Sequence, residues 1–230
     1  MSDVEVEVQS MLELTARLDE AISRHRLLDH PFYRAWVAGS LSHDDLAFYA
    51  SQYWRQVQAF PGYLSALLPR VTESSTRRTL EANLADETDG DHAGLWVQFA
   101  NALGVSRAEL DDTPPEPETR SCVAAFEEAA ATAEPTFALG MLYGYESQTP
   151  EVAATKATGL RESYGLSGNS LAYFELHGQL DVEHSKDLAD AIAVECTAQV
   201  DDQTPSSGAQ TGASAIFGLL DGVARVRGIA

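Results

Sequence analysis

The sequence predicts an all-α fold, a bundle of about seven or eight helices. Three observations predict it. Apolar residues recur at three- and four-residue spacing along most of the chain, no run alternates as a strand would, and Ser, Asp, Pro and Gly fall where the periodic stretches begin and end.

The first amphipathic helix is expected over residues 10–27, with residues 1–9 outside it as a disordered N-terminus. "LLDHPFYRAWVAG" follows, with Asp29 as N-cap, Pro31 in the first turn and Gly39 as the stop. Ser42 caps the next helix, whose first turn is acidic and which Pro61 should kink. A third long helix is expected from about 74 to 103, ending at Gly104. "DDTPPEPETR" reads as a loop because its three prolines cannot continue a helix. Further helices are expected at 118–132, 135–147, 150–163 and 168–198. "DDQTPSSGAQTG" reads as another loop before a last helix near 212–227. No repeat or long linker divides the chain, so residues 1–230 are read as one helical domain.

Composition narrows the function classes. The net charge is −20, from 35 acidic residues against 13 arginines and only two lysines, Lys156 and Lys186. Such a surface repels phosphate backbones, which argues against a nucleic-acid partner. An acidic excess with Arg preferred to Lys points to a salt-adapted, halophilic cytosol, where salt screens the self-repulsion. No apolar run approaches the roughly 18 residues of a membrane span. "MSDVEVEVQSMLEL" lacks the basic and apolar regions of a signal peptide, so a cytoplasmic protein without a membrane partner is expected. Cys122 and Cys196 have no metal-binding spacing and read as small buried residues.

"HGQLDVEH" carries the densest chemistry. His177, Asp181 and His184 stand at i, i+4 and i+7, on one helix face, and two imidazoles with a carboxylate suit iron, manganese or zinc. "NLADETDGDHAGLW" adds Glu87 and His92, and "MLYGYESQTPE" adds Glu146 at the end of an apolar run. A carboxylate carried inward needs a partner. Together these six N/O donors form the inventory of a dimetal carboxylate site in a bundle. His25, His30 and His43 lie near helix ends and need no metal.

The segments "LLDHPFYRAWVAGSLSHDDLAFYASQYWRQVQAFPGYLSAL", "NLADE", "HAGLWVQFANALG", "GYESQTPEVAATKATGL" and "HGQLDVEH" occur in that order. Over about residues 27–228 they resemble the family of the Chlamydia protein associating with death domains (CADD), haem-oxygenase-like dimetal oxidases related to TenA and PqqC. The resemblance implies a haem-oxygenase-like seven-helix bundle holding two metal ions, Fe/Fe or Fe/Mn, on Glu87, His92, Glu146, His177, Asp181 and His184. It also implies O2 as co-substrate, an external electron donor and a homodimer. One feature departs from the family. Glu87 and His92 are two residues closer than the corresponding family pair, and five positions rotate a helical pair by about 140°. Either a break at Gly90 turns both inward, or Asp86 or Asp89 takes the place of one of them.

The resemblance further implies a self-sacrificing synthesis of p-aminobenzoate for folate-type cofactors. A tyrosine of the chain, matched by Tyr33, supplies the ring, and a lysine, matched by Lys156, supplies the amino nitrogen. Tyr49, Tyr145 and Tyr173 match further family tyrosines that relay radicals or bind substrate. Two other functions compete. One is a dimetal oxidase acting on a free amino or fatty acid. The other is TenA-like thiamin hydrolysis, which needs a cysteine nucleophile in a context neither Cys122 nor Cys196 offers.

Overall fold

The computed structural model describes residues 3–198 and 203–230, and these are all-helical, with no strand among them. The α-helices are α1 (Asp3–Ile22), α2 (Pro31–Val37), α3 (His43–Leu67), α4 (Ser74–Asp89), α5 (His92–Ala102) and α6 (Arg107–Asp112). They continue as α7 (Pro117–Thr132), α8 (Pro135–Glu146), α9 (Thr149–Glu162), α10 (Ala172–Ala198) and α11 (Thr204–Arg227).

The helix α8 is apolar around its whole circumference, and every residue from Ala138 to Glu146 is buried. That pattern marks a central helix, and α7, α10 and α11 pack around it. Its seam with α11 is built from glycines. A Cβ at Gly140 would lie 2.2 Å from the Pro205 carbonyl oxygen, and one at Gly144 would lie 2.2 Å from that of Ala209. In return, Cβ atoms at Gly208 and Gly212 would lie 2.1 and 2.3 Å from the oxygens of Phe137 and Met141. Only hydrogen fits at such distances, so the two backbones approach as closely as helices can.

This seam corrects the reading of "DDQTPSSGAQTG". The helix α11 begins at Thr204, with Pro205 in its first turn, so most of that stretch is helical. Its glycines serve a packing surface and not a turn. Residues 201 and 202 of the stretch lie outside the described residues.

Other boundaries also move. The first helix starts at Asp3 and ends at Ile22. The N-cap of α2 is His30, not Asp29, and its Nδ1 accepts from Phe32 N–H at 3.0 Å. Ser42 caps α3 with a full capping box, and α3 continues across Pro61 to Leu67. In "DDTPPEPETR", Pro117 opens α7 from the first-turn position, where a missing N–H costs nothing.

The stretch 74–103 is two helices. Gly90 ends α4, and Asp91 takes a left-handed conformation with φ 48°. The Asp91 carboxylate then caps α5 by accepting from Gly94 N–H at 3.1 Å. A Cβ on Gly94 would collide with that carboxylate, so the sequence D-x-x-G is part of the break. Glu195 of α10 fixes the other end of α4, accepting from Thr72 Oγ1 and Glu73 N–H at 3.0 Å each.

Candidate metal centre and buried lysine

The break between α4 and α5 brings Glu87 and His92 to the same point. Glu87 Oε2 lies 3.1 Å from His92 Nδ1, and Glu87 Oε1 lies 3.7 Å from His177 Nε2 of α10. Ligating atoms from these three side chains lie within 4.8 Å of one another. Burial opposes the charge on Glu87, but the imidazoles of His177 and His92 outweigh it and hold the carboxyl at about 2. His177 is opposed by burial too, and Glu87 and Asp181 raise it above its ordinary value. Its Nδ1 meets the Tyr173 carbonyl at 2.7 Å, which leaves Nε2 as the free donor atom.

A second group adjoins the first. Glu146, Asp181 and His184 are buried, with His184 Nδ1 3.3 Å from Asp181 Oδ1. The Asn83 amide donates to both oxygens of Glu146, at 3.0 and 3.3 Å. Burial, then Asp181, pushes the Glu146 carboxyl well above its ordinary range. Burial works against the charge on His184, yet Asp181, Glu146 and Asp86 together lift it to about 9. The two groups share a field: Asp181 acts on His177 as well as on Glu146 and His184.

The Glu87, His92 and His177 triad fits a metal ion. The Nδ1 atoms of His92 and His184 are buried and have no hydrogen-bond partner, although each stands beside a carboxylate oxygen. A buried imidazole nitrogen without a hydrogen-bond partner beside a carboxylate oxygen suits a cation, and imidazole with carboxylate is a donor set for iron or manganese. Asp86 faces His184 and does not join the Glu87 group. Asp89 has no contact that draws it into either group.

Lys156 lies on α9, and its neighbours are aromatic. Its Nζ donates to the Tyr49 hydroxyl at 2.6 Å. It sits 5.1, 5.2, 5.0 and 5.4 Å from the ring centroids of Tyr33, Tyr49, Tyr53 and Phe174. Burial alone lowers its pKa to about 7. Tyr33 is fully buried, and burial, eased slightly by the Tyr49 hydroxyl, holds its phenol protonated. Gly159 and Trp36 set the distance between α2 and α9: the Trp36 indole N–H donates to the Lys156 carbonyl at 3.3 Å, against the bare face of Gly159.

Tyrosines run from this pocket to the cluster of imidazole and carboxylate donors. Tyr49 and Tyr53 have ring centroids 5.3 Å apart, and the Tyr53 hydroxyl donates to that of Tyr145 at 3.0 Å. Tyr145 precedes Glu146, and Tyr173 stacks on His177 with centroids 4.0 Å apart. The sequence reading missed Tyr53 and Asn83. Both carried a signal, since Tyr53 is i+4 from Tyr49 and Asn83 is i−4 from Glu87.

Residues 47–215 match the model of a family described as iron-containing redox enzymes. The chain is 38% identical over 172 residues to a 4-aminobenzoate synthase of Chlamydia pneumoniae, covering 74% of this chain and 77% of the relative. It is 35% identical over 208 residues to the 4-aminobenzoate synthase of Chlamydia muridarum, covering 89% and 87%. A TenA homologue from Pseudomonas syringae has the same fold, with TM-score 0.82 at 18% identity over 92% of this chain and 93% of that one. With an all-helical fold and an N/O donor cluster at its centre, the chain belongs to the iron-containing redox enzymes of haem-oxygenase-like fold.

Proposed function

We propose that this chain makes 4-aminobenzoate for a folate-type cofactor in a single turnover, with its own Tyr33 as ring source and Lys156 as amino donor. The observation that carries the reading is the placement of the Lys156 amine 5.1 Å from the Tyr33 ring centroid, in an aromatic box that burial keeps dry.

Chemistry dictates what the site must do. In 4-aminobenzoate the carboxyl stands para to nitrogen, as Cβ of tyrosine stands para to the phenol oxygen. The Cα–Cβ bond must break, Cβ must be oxidised to the carboxyl carbon, the ring C–O bond must give way to C–N with its oxygen leaving as water, and the Cε–Nζ bond of Lys156 must break to free the product. Two metal ions, Fe/Fe or Fe/Mn, would be held by Glu87, His92 and His177 and by Glu146, Asp181 and His184. With O2 and an external electron donor they would supply the oxidising power. The chain's residues do the rest. Burial presents Lys156 as a neutral amine above about pH 7, with a lone pair able to attack a ring carbon. Tyr49 holds the nitrogen in place and can accept or return its proton. Packing of Phe32 and Trp36 against Tyr33, with the Tyr49 hydroxyl hydrogen-bonded to its phenol, excludes water that would compete for the ring.

Burial pushes the Cys122 thiol far up, which favours this reading over hydrolysis by a cysteine nucleophile. The test is exposure of Fe(II)-loaded, reduced protein to O2 with two measurements, 4-aminobenzoate released and intact mass. About one product per chain with loss of a tyrosine side chain at position 33 is expected. Many turnovers at constant mass would instead identify an oxidase of a free small molecule.

A further inference from the structure

Given the two-metal reading above, we infer that Asp86 is a positioning residue that makes His184 present Nδ1, and not Nε2, to a cation shared with Asp181 and Glu146. Nothing in the family match assigns Asp86 a part.

Asn83, Asp86 and Glu87 share one face of α4 at i, i+3 and i+4. Each turns to a different partner. Glu87 meets His92 and His177, Asn83 holds Glu146, and Asp86 Oδ2 stands 3.1 Å from His184 Nε2. The Asp86 side chain is 48% exposed while that of His184 is 10% exposed, so the carboxylate reaches the ring from its solvent side.

A neutral imidazole carries one N–H, and the hydrogen bond made by one nitrogen decides which nitrogen remains a donor to metal. With the proton held on Nε2 by Asp86, the lone pair of His184 falls on Nδ1. That atom is buried, lacks a hydrogen-bond partner and lies 3.3 Å from Asp181 Oδ1. A buried nitrogen without a partner, 3.3 Å from a carboxylate oxygen, is a place for a cation.

The opposite arrangement holds two turns earlier on the same helix. His177 gives its Nδ1 side to the Tyr173 carbonyl at 2.7 Å, so Nε2 is its ligating atom. The two histidines of "HGQLDVEH" therefore use different ring nitrogens, one oriented by a main-chain carbonyl and the other by Asp86. The carbonyl belongs to the same helix and is always present. The carboxylate can be removed by substitution, so the His184 end can be tested separately.

The experiment uses the full chain, 15N-labelled and loaded with Zn(II), which is diamagnetic. Long-range 1H–15N correlations should place metal on Nδ1 and the proton on Nε2 of His184, with the reverse at His177. Zn(II) titration of Asp86→Ala should show the second ion bound about 10–100-fold more weakly and the first unchanged. Asp86→Asn, which keeps an acceptor oxygen, should recover most of the loss. Metal on Nε2 of His184, or two ions bound to Asp86→Ala as tightly as to the parent, would overturn the role of Asp86 and leave the two-metal reading standing. A parent protein that binds no second Zn(II) would sink both.

Discussion

The Lys156 ammonium nitrogen stands 2.6 Å from the Tyr49 hydroxyl, and no carboxylate contributes to its pKa. Burial alone lowers that pKa to about 7, whereas an unfolded chain has lysine near its ordinary ~10.4. Between these values the unfolded state binds a proton that the folded state does not. Stability should therefore climb as pH rises from about 7 toward about 10, be lost as pH falls back across that interval, and show no further dependence on Lys156 below about 7. Lys156→Met should flatten that slope between pH 7 and 9 in denaturant titrations and raise stability at pH 7 by about 1–3 kcal/mol. The same variant should release no 4-aminobenzoate, separating chemical loss from unfolding.

Gly159→Ala should push α2 from α9. Its Cβ would lie 2.7 Å from the Trp36 ring, three residues beyond Tyr33. Overpacking of this kind costs about 1–3 kcal/mol, and the Tyr33–Lys156 distance should grow. Product yield per chain is expected to fall, and Trp36→Phe in the same chain should restore part of it by freeing space. Unchanged yield from Gly159→Ala would show that the α2–α9 spacing does not govern the reaction.

The α8–α11 seam makes a paired prediction. Gly144→Ala places a methyl group 2.2 Å from a main-chain oxygen, where no rotamer can yield, so at least about 3 kcal/mol should be lost. Gly218→Ala on the same pair of helices meets nothing within 4 Å. It should stabilise by about 0.4–1 kcal/mol through the unfolded chain. Thermal melts of the two variants should move in opposite directions, and Gly144→Ala should also disturb Glu146, two residues on.

Metal should stabilise the fold, because the donors of Glu87, His92 and His177 converge only when α4, α5 and α10 are assembled. Fe(II) or Mn(II) at 100 times its dissociation constant adds about 2.7 kcal/mol. The melting temperature should rise with added metal and return on chelation. A melting temperature indifferent to metal would count against ligation by these residues.

Tyr53→Phe removes the 3.0 Å hydrogen bond to Tyr145 and little else, since the ring remains against Trp96. About 1 kcal/mol of stability should go. If the tyrosines connect the metal ligands to Lys156, single-turnover product formation should slow in this variant while metal content stays at the parent level.

The helices and the donors on α10 are legible in the sequence because both obey helical spacing, and spacing is a one-dimensional property. A break at Gly90 is legible only as one of two ways to reconcile the five-residue interval between Glu87 and His92, the other being Asp86 or Asp89 in place of one of them. What is not legible depends on a neighbour far along the chain. Gly208 and Gly212 look like loop residues until Phe137 and Met141 arrive beside them. His30 outcompetes Asp29 as a cap because its other nitrogen reaches Asp221, 191 residues away. Lys156 stands out by its rarity, but only packing surrounds it with Tyr53 and Phe174.

Tyr33 is 1% exposed, packed edge-on against Phe32 and tilted against Trp36. If that ring leaves as product, the spent chain keeps a glycine-like residue where an aromatic filled the core. Loss of a large buried side chain costs about 3–5 kcal/mol, a large part of the 5–15 kcal/mol that holds a typical domain folded. Each chain would thus carry its own expiry mark. One that has reacted unfolds more readily than one that has not, and a protease can tell the two apart without any signal beyond the void.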